Sequence, residues 1–163
     1  EAMFMSDKIG VLNNGCIEQF GSPIDLYVRP QSSFIAEFFG EINIFEGNVQ
    51  EGAVSTVLGT FNCPQRFNNK KVKIVVRDEA IKLFSATKIN LNTKDKTNFI
   101  KSSYYGYVME ARLLAGSSLV HLSLKVDKLN FHIHARIPGL NFFKVDEKVI
   151  VETDPTQIFI FEQ

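Results

Sequence analysis

Three histidines occur in the 163-residue chain, and all three fall within fourteen positions of one another: His121, His132 and His134. His132 and His134 are two residues apart, so on a β-strand their side chains point to the same face. His121 lies on a preceding segment of strand character. Three imidazoles on neighbouring strands match the donor set that holds a first-row metal ion. The commoner occurrence of such a pattern is surface histidines on a barrel strand, and the sequence leaves both readings open. Lys70 and Lys71, with Tyr104, Tyr105 and Tyr107, have the basic and aromatic character of a face for single-stranded nucleic acid. Against that stands the charge: 18 Lys+Arg and 18 Asp+Glu give a net charge of zero. A neutral chain has no long-range field to hold a polyanion, so nucleic acid is not an expected partner and the aromatics are assigned to barrel core or rim.

Other chemistry is missing from the sequence. There is no glycine-rich phosphate loop ending in Gly-Lys-Ser/Thr, no Gly-x-Ser-x-Gly elbow and no cysteine pair at zinc spacing. No catalytic residue and no cofactor-binding residue is assigned. Cys16 and Cys63 are too isolated for a redox or disulfide motif, which favours a reducing, cytoplasmic setting, and Cys16 is expected to be a small buried hydrophobe. No apolar run approaches the ~20 residues of a membrane span. The chain starts at Glu1, in helix-compatible sequence and with no signal peptide, and is taken as a piece of a longer protein.

The elements that must position these residues fall into two sets. Residues 1–7 are helix-compatible, and Ile9 and Val11 then alternate towards Asn13-Asn14-Gly15, a strong hairpin signal. Cys16 to Phe20 is the return strand. Ser22 and Pro23 suit the cap and first position of a helix that ends at Arg29-Pro30. A second helix, expected to open at Pro30, carries Phe34, Ile35, Phe38 and Phe39. Gly40 is the expected left-handed helix stop. Beyond it the period changes to that of a strand, with Ile42 and Ile44 on the buried face. Strands are expected at 42–50, 54–61, 71–77, 80–84, 103–114, 118–126, 129–137, 148–152 and 157–161. Gly47, Gly52 and Gly59 mark bulges or tight turns, residues 85–98 a long exposed loop, and Asp127-Lys128 a turn. Many short strands between turn residues predict a small closed or partly closed barrel. With 15 Phe and no Trp, its core is expected to be phenylalanine-rich.

Specific stretches resemble a known family. Glu1-Ala2-Met3-Phe4-Met5-Ser6-Asp7-Lys8-Ile9, then Asn14-Gly15-Cys16-Ile17-Glu18-Gln19-Phe20-Gly21-Ser22-Pro23, is similar to the end of the ATP-binding subunit of ABC importers. Ile24-Asp25-Leu26-Tyr27-Val28-Arg29-Pro30 and Phe34-Ile35-Ala36-Glu37-Phe38-Phe39-Gly40 continue the match. The remainder resembles the transport-associated, oligonucleotide-binding-like (TOBE) regulatory domain of those subunits. Val76-Arg77-Asp78-Glu79 resembles the family's Arg-Pro-Glu element, with Asp78 where proline is usual. Gly106-Tyr107-Val108, Ala115-Gly116-Ser117, Val145-Asp146-Glu147-Lys148-Val149 and Asp154-Pro155 also fit. Gly40-Glu41-Ile42-Asn43-Ile44-Phe45 resembles the junction of spermidine/putrescine importers, which favours polyamine over ferric iron or sugar.

The resemblance implies a mainly β fold: a TOBE-type β-barrel domain at 41–163, preceded by a small α/β tail of an ATPase domain at 1–40. It implies a regulatory and dimerising role without hydrolysis, since ATP and Mg would bind elsewhere in the parent subunit. The implied partners are a second copy of the subunit and transmembrane permease subunits, at the cytoplasmic face of the cell membrane and without insertion into it. A barrel that self-associates should carry an outer apolar patch. Leu140, Phe142 and Phe143, beside Pro138-Gly139, are the candidates; the alternative is that the Phe pair plugs its own barrel end. A free-standing ligand-binding module of the oligonucleotide-binding type is the other architecture considered, and residues 1–39 argue against it.

Overall fold

The structure, a computed structural model, describes residues 2–86, 104–126 and 129–163. A short helix α1 (Ala2–Met5) precedes the hairpin of β1 (Ile9–Asn13) and β2 (Cys16–Gly21). Its turn uses positive φ at Asn14 (51°) and Gly15 (81°), which is why Asn-Gly specifies it. Helix α2 (Pro23–Val28) is capped by Ser22, whose Oγ accepts from the Asp25 N–H. Helix α3 (Ser33–Phe38) opens later than the expected Pro30, because Ser32 provides the cap, its Oγ accepting from the Ile35 N–H. Val11, Leu26 and Ile35 form a small core of their own, with Ile9, Phe34 and Phe39 packed around it. Among the described residues, neither β1 nor β2 joins the sheets that follow.

The β-rich part begins with β3 (Ile42–Asn48). Next come β4 (Ala53–Thr56), β5 (Gly59–Asn62), β6 (Lys71–Arg77) and β7 (Ile81–Ser85). Then follow β8 (Tyr104–Leu114), β9 (Ser117–Val126), β10 (Leu129–Pro138), β11 (Lys148–Thr153) and β12 (Ile158–Glu162). The fold is mainly β. Strands β8, β9 and β10 form an antiparallel meander, extended in the order β10-β9-β8-β11-β7. The five-stranded sheet curls until β7 and β10 pack side by side, yet no ladder joins them among the described pairings. The barrel is therefore partly open, as in the oligonucleotide-binding class. A second sheet, β12-β6-β3, packs against it, and β4 and β5 form a separate hairpin.

Several sequence expectations are corrected. The expected strand 54–61 is two strands, because Val57 and Leu58 turn inward between them, with the Thr56 hydroxyl accepting from the Leu58 N–H. Gly40 is not a left-handed stop: α3 ends at Phe38, Phe39 is its cap at φ −102°, and Gly40 has no positive φ. Its glycine is a matter of space, since a Cβ there would sit 2.9 Å from Arg77 Nη1. The inner face of β3 is Asn43 and Phe45, not Ile42 and Ile44, and Ile44 is 45% exposed. The main core is aliphatic rather than phenylalanine-rich. Val, Ile and Leu dominate it, and Phe45, Phe61, Phe131 and Phe143 pack at its edge. β-branched side chains suit the pleated interior of a curled sheet, while larger rings fill its rim. Cys16 is exposed, not buried, because its strand belongs to a two-stranded hairpin with one side in solvent. Nearly all of the expected 85–98 loop and the Asp127-Lys128 turn lie outside the described residues.

Candidate functional site

Two polar clusters are built where strand β10 runs. The first is the histidine face. In the β9–β10 ladder His134 stands opposite His121, and His132 stands opposite Ser123. Because residues two apart share a face, all three rings meet: centroids are 4.5 Å apart for His121–His134, 4.8 Å for His132–His134 and 5.2 Å for His121–His132. His121 Nδ1 and His132 Nε2 share a hydrogen bond of 3.1 Å. One ligating atom from each ring lies within 4.8 Å of the others. His121 Nε2 is buried and has no hydrogen-bond partner among the described residues. Burial, and then the neighbouring His121, push the His134 imidazole below its ordinary pKa, which favours the neutral ring.

The strand carrying His134 is pinned from the second sheet. Asn43, 6% exposed, accepts from the His134 N–H through Oδ1 (2.7 Å) and donates through Nδ2 to the His134 carbonyl (2.9 Å). One side-chain amide thus satisfies both backbone groups of a residue 91 positions away. Sequence reasoning passed over Asn43; the available signal was a polar amide inside an otherwise apolar strand, Ile42-Asn43-Ile44.

The second cluster surrounds the Arg77-Asp78-Glu79 triplet at the end of β6. Arg77 is 1% exposed. Its Nη2 donates to the Tyr27 carbonyl (2.9 Å) and its Nη1 to the Ala36 carbonyl (3.3 Å). These carbonyls belong to the last turns of α2 and α3, where helices leave acceptors without intrahelical partners. A cation is also favoured at a helix C-terminus. The guanidinium stacks 3.8 Å from the Tyr27 ring centroid. Burial depresses the Arg77 pKa, an effect that Tyr27, Glu79 and Asp78 oppose. Asp78 is also buried, and Arg136 on β10 donates to it through Nε at 2.9 Å. Burial raises the Asp78 pKa, and Arg136 pulls it back. Glu79 accepts from the Tyr27 hydroxyl at 2.9 Å. The triplet therefore ties α2, α3 and β10 together: Arg77 and Glu79 both hold Tyr27 on α2, Arg77 also holds α3, and Asp78 holds β10.

The remaining candidates are dispersed. Leu140 is 67% and Phe142 79% exposed, whereas Phe143 packs against the main core. Tyr104 also packs on the core, while Tyr105 and Tyr107 face outward beneath Lys148 and Lys125. Lys70 pairs with Glu162 and Lys71 with Glu46, so both bases are neutralised in place. No helix among the described residues is long and apolar enough to cross a membrane.

Comparison with known proteins places this geometry in context. The whole chain aligns over 166 residues, at 37% identity, with the spermidine/putrescine import ATP-binding protein PotA of Acetivibrio thermocellus. The proteins of the same name from Borreliella afzelii and Borrelia garinii subsp. bavariensis align over 166 residues at 30% identity. The chain covers 42% of each of these relatives. No family model matches the chain. A solved structure of the cytoplasmic molybdate-binding protein ModG, with molybdate bound, is similar at TM-score 0.49 and 16% identity, covering 72% of this chain and 94% of that one. The resemblance drawn from the sequence is borne out: from end to end, the chain is similar to ATP-binding subunits named for spermidine/putrescine import.

Proposed function

We propose that the chain acts as the regulatory and self-associating part of the ATP-binding subunit of an ABC import system for polyamines. The observation that carries this reading is the end-to-end alignment with spermidine/putrescine import ATP-binding proteins, across both the helical tail and the β-rich part. The Arg77 junction supports it physically. It fastens the last turns of α2 and α3 to the β-rich body, so a displacement of the tail is passed on to the sheets. In this reading residues 1–40 end the ATPase domain, residues 41–163 form the regulatory domain, and hydrolysis occurs outside this chain. The subunit works at the cytoplasmic face of the membrane with permease partners and a second copy of itself. Leu140 and Phe142 provide the apolar contact between copies.

The test is a segment exchange. The matching part of the Acetivibrio thermocellus subunit is replaced by this chain in an importer reconstituted in vesicles. Retained spermidine-stimulated ATP hydrolysis and uptake are expected. A folded chimera that hydrolyses ATP but has lost coupling to uptake overturns the regulatory role. Coupling to ferric iron or to a sugar, but not to spermidine, overturns the substrate assignment alone. Sedimentation of this chain, with Leu140→Asp and Phe142→Asp as the variant, tests the self-association: a dimer is expected and a monomer in the variant, whereas unchanged mass overturns that surface.

A further inference from the structure

We propose that His121, His132 and His134 form a binding site for a single divalent zinc ion on the outer face of the β9–β10 ladder. The proposal is independent of the importer reading, because it stands on the three side chains alone. A zinc ion takes imidazole nitrogens at about 2.0–2.1 Å. Tetrahedral geometry then places those nitrogens about 3.4 Å from one another. The ligating atoms here already lie within 4.8 Å, and His121 and His132 meet at 3.1 Å. Small rotations about the side-chain bonds bring the third into range, with no movement of backbone.

Four features separate this arrangement from histidines gathered by chance on a sheet surface. The rings converge from two strands onto one point. The His121 ring meets His132 through Nδ1, while its buried Nε2 has no hydrogen-bond partner among the described residues, so no protein group fixes the tautomer and Nδ1 can present its lone pair. The His134 backbone is fixed by the Asn43 amide, so the ligand at the centre of the site is positioned before any ion arrives. Lastly, carboxylates stand around the site. Glu110 is paired in register with His121 across β8–β9, and the charges of Glu41 and Asp78 act on His134. Glu110 is held by Arg112 at 2.8 and 3.0 Å, so it is not a ligand and its charge is largely balanced in place. Three imidazoles leave a fourth position for water or an anion, the ligand count of an accessible zinc centre. Imidazole donors also suit Cu²⁺ and Ni²⁺. Zinc is chosen because its filled d shell imposes no planar geometry, and these rings approach from two strands rather than in one plane.

Binding would tie β9 to β10, and through Asn43 to β3, so its effect should appear as stabilisation of the folded state. The experiment titrates zinc chloride into the whole chain after chelator treatment. Heat of binding and thermal unfolding are followed, with Co²⁺ absorption as an independent reading of coordination geometry. One equivalent is expected to bind, with Tm rising by several degrees at saturation and a visible spectrum of four-coordinate Co²⁺. His132→Ala, at an exposed position, and His121→Gln should each weaken binding by about tenfold or more while leaving the fold intact by circular dichroism. Cys16→Ser, which removes the exposed thiol, should change nothing. The proposal is overturned by absence of binding at ~100 µM zinc, equivalent to a site too weak to matter. It is equally overturned by binding that survives both histidine variants, or by binding lost with Cys16.

Discussion

The Arg77 junction and the histidine face are both polar clusters set against β-structure, and they differ in what their groups are bound to. At the junction one guanidinium reaches two helix-end carbonyls and an aromatic face, while Asp78 and Glu79 reach Arg136 and Tyr27. On the histidine face the three rings contact mainly each other. Each cluster keeps one buried nitrogen without a hydrogen-bond partner among the described residues, Arg77 Nε in the first and His121 Nε2 in the second. A cluster whose groups are committed to their neighbours holds a structure together. A cluster of neutral rings that contact mainly one another has lone pairs to offer a ligand. Strand β10 links the two, with Arg136 serving the first and His134 belonging to the second.

The contrast is broken most strongly at Arg77. Arg77→Met keeps the length and removes the charge, leaving two helix-end carbonyls without their buried donor. A loss of about 3 kcal/mol is expected in urea unfolding, from unsatisfied buried acceptors and poorer packing. Limited proteolysis should then cut between α2 and α3 well before the β-rich part is attacked. Uniform protection of the tail would show that the small core of Val11, Leu26 and Ile35 suffices without the arginine.

Next in size is Arg136→Met, which strands a buried carboxylate. Removing one member of such a pair costs about 2–3 kcal/mol near neutral pH for a partly exposed partner. The pH dependence has a definite sign. The folded pKa of Asp78 is raised by burial above its usual value, so its contribution to stability is full below the unfolded pKa and is lost as pH rises through the folded one. Without Arg136 the folded pKa rises further and the loss on leaving acid becomes larger. Unfolding free energies of both proteins, compared from acid to neutral pH, should converge at the acid end. A constant difference across that range would mean that Arg136 acts by packing alone.

Asn43→Ala comes third and sharpens the link between the clusters. It deletes one acceptor for the His134 N–H and one donor to its carbonyl, and about 1–2 kcal/mol should go. If the amide positions the histidine face, zinc affinity falls in the same variant. If stability falls and zinc affinity does not, the rings hold their own arrangement.

How far this was legible in the sequence depends on the reach of the interactions. The Asn14-Gly15 turn and the Ser22-Pro23 cap are local, and both were readable because the residues satisfy needs of their own backbone. The run of strands was readable for the same reason, as was the shared face of His132 and His134. The failures are non-local. Asn43 is buried because a strand 91 positions later needs its amide, so a period-two reading of Ile42 and Ile44 chose the wrong face. Gly40 is small because Arg77 passes beside it, a fact no helix-stop rule contains. Within the Arg77-Asp78-Glu79 element, the resemblance marked the place but not the work. Asp78, in the proline position, has acquired an arginine partner from β10.

The smallest effect belongs to Tyr27, and it isolates the hydroxyl from the ring. Tyr27→Phe keeps the aromatic face under Arg77 and removes only the bond to Glu79, so near neutral pH the loss should be about 0.5–1 kcal/mol. At alkaline pH the order reverses. Burial, and then the hydrogen bond to Glu79, raise the tyrosine pKa above its ordinary value of 10.0. A group with a raised folded pKa gives its full stabilisation below the unfolded pKa and loses it as pH rises through the folded one. Ionisation would place a phenolate beside the Glu79 carboxylate, and a phenylalanine cannot ionise. The difference in Tm between the two proteins, followed from about pH 8 to about pH 11, should therefore shrink and then change sign. Subtracting the curves removes the other tyrosines and the lysines, which titrate alike in both. A difference that stays constant would show the hydroxyl to be solvated in the folded chain, and the junction would then rest on Arg77 alone.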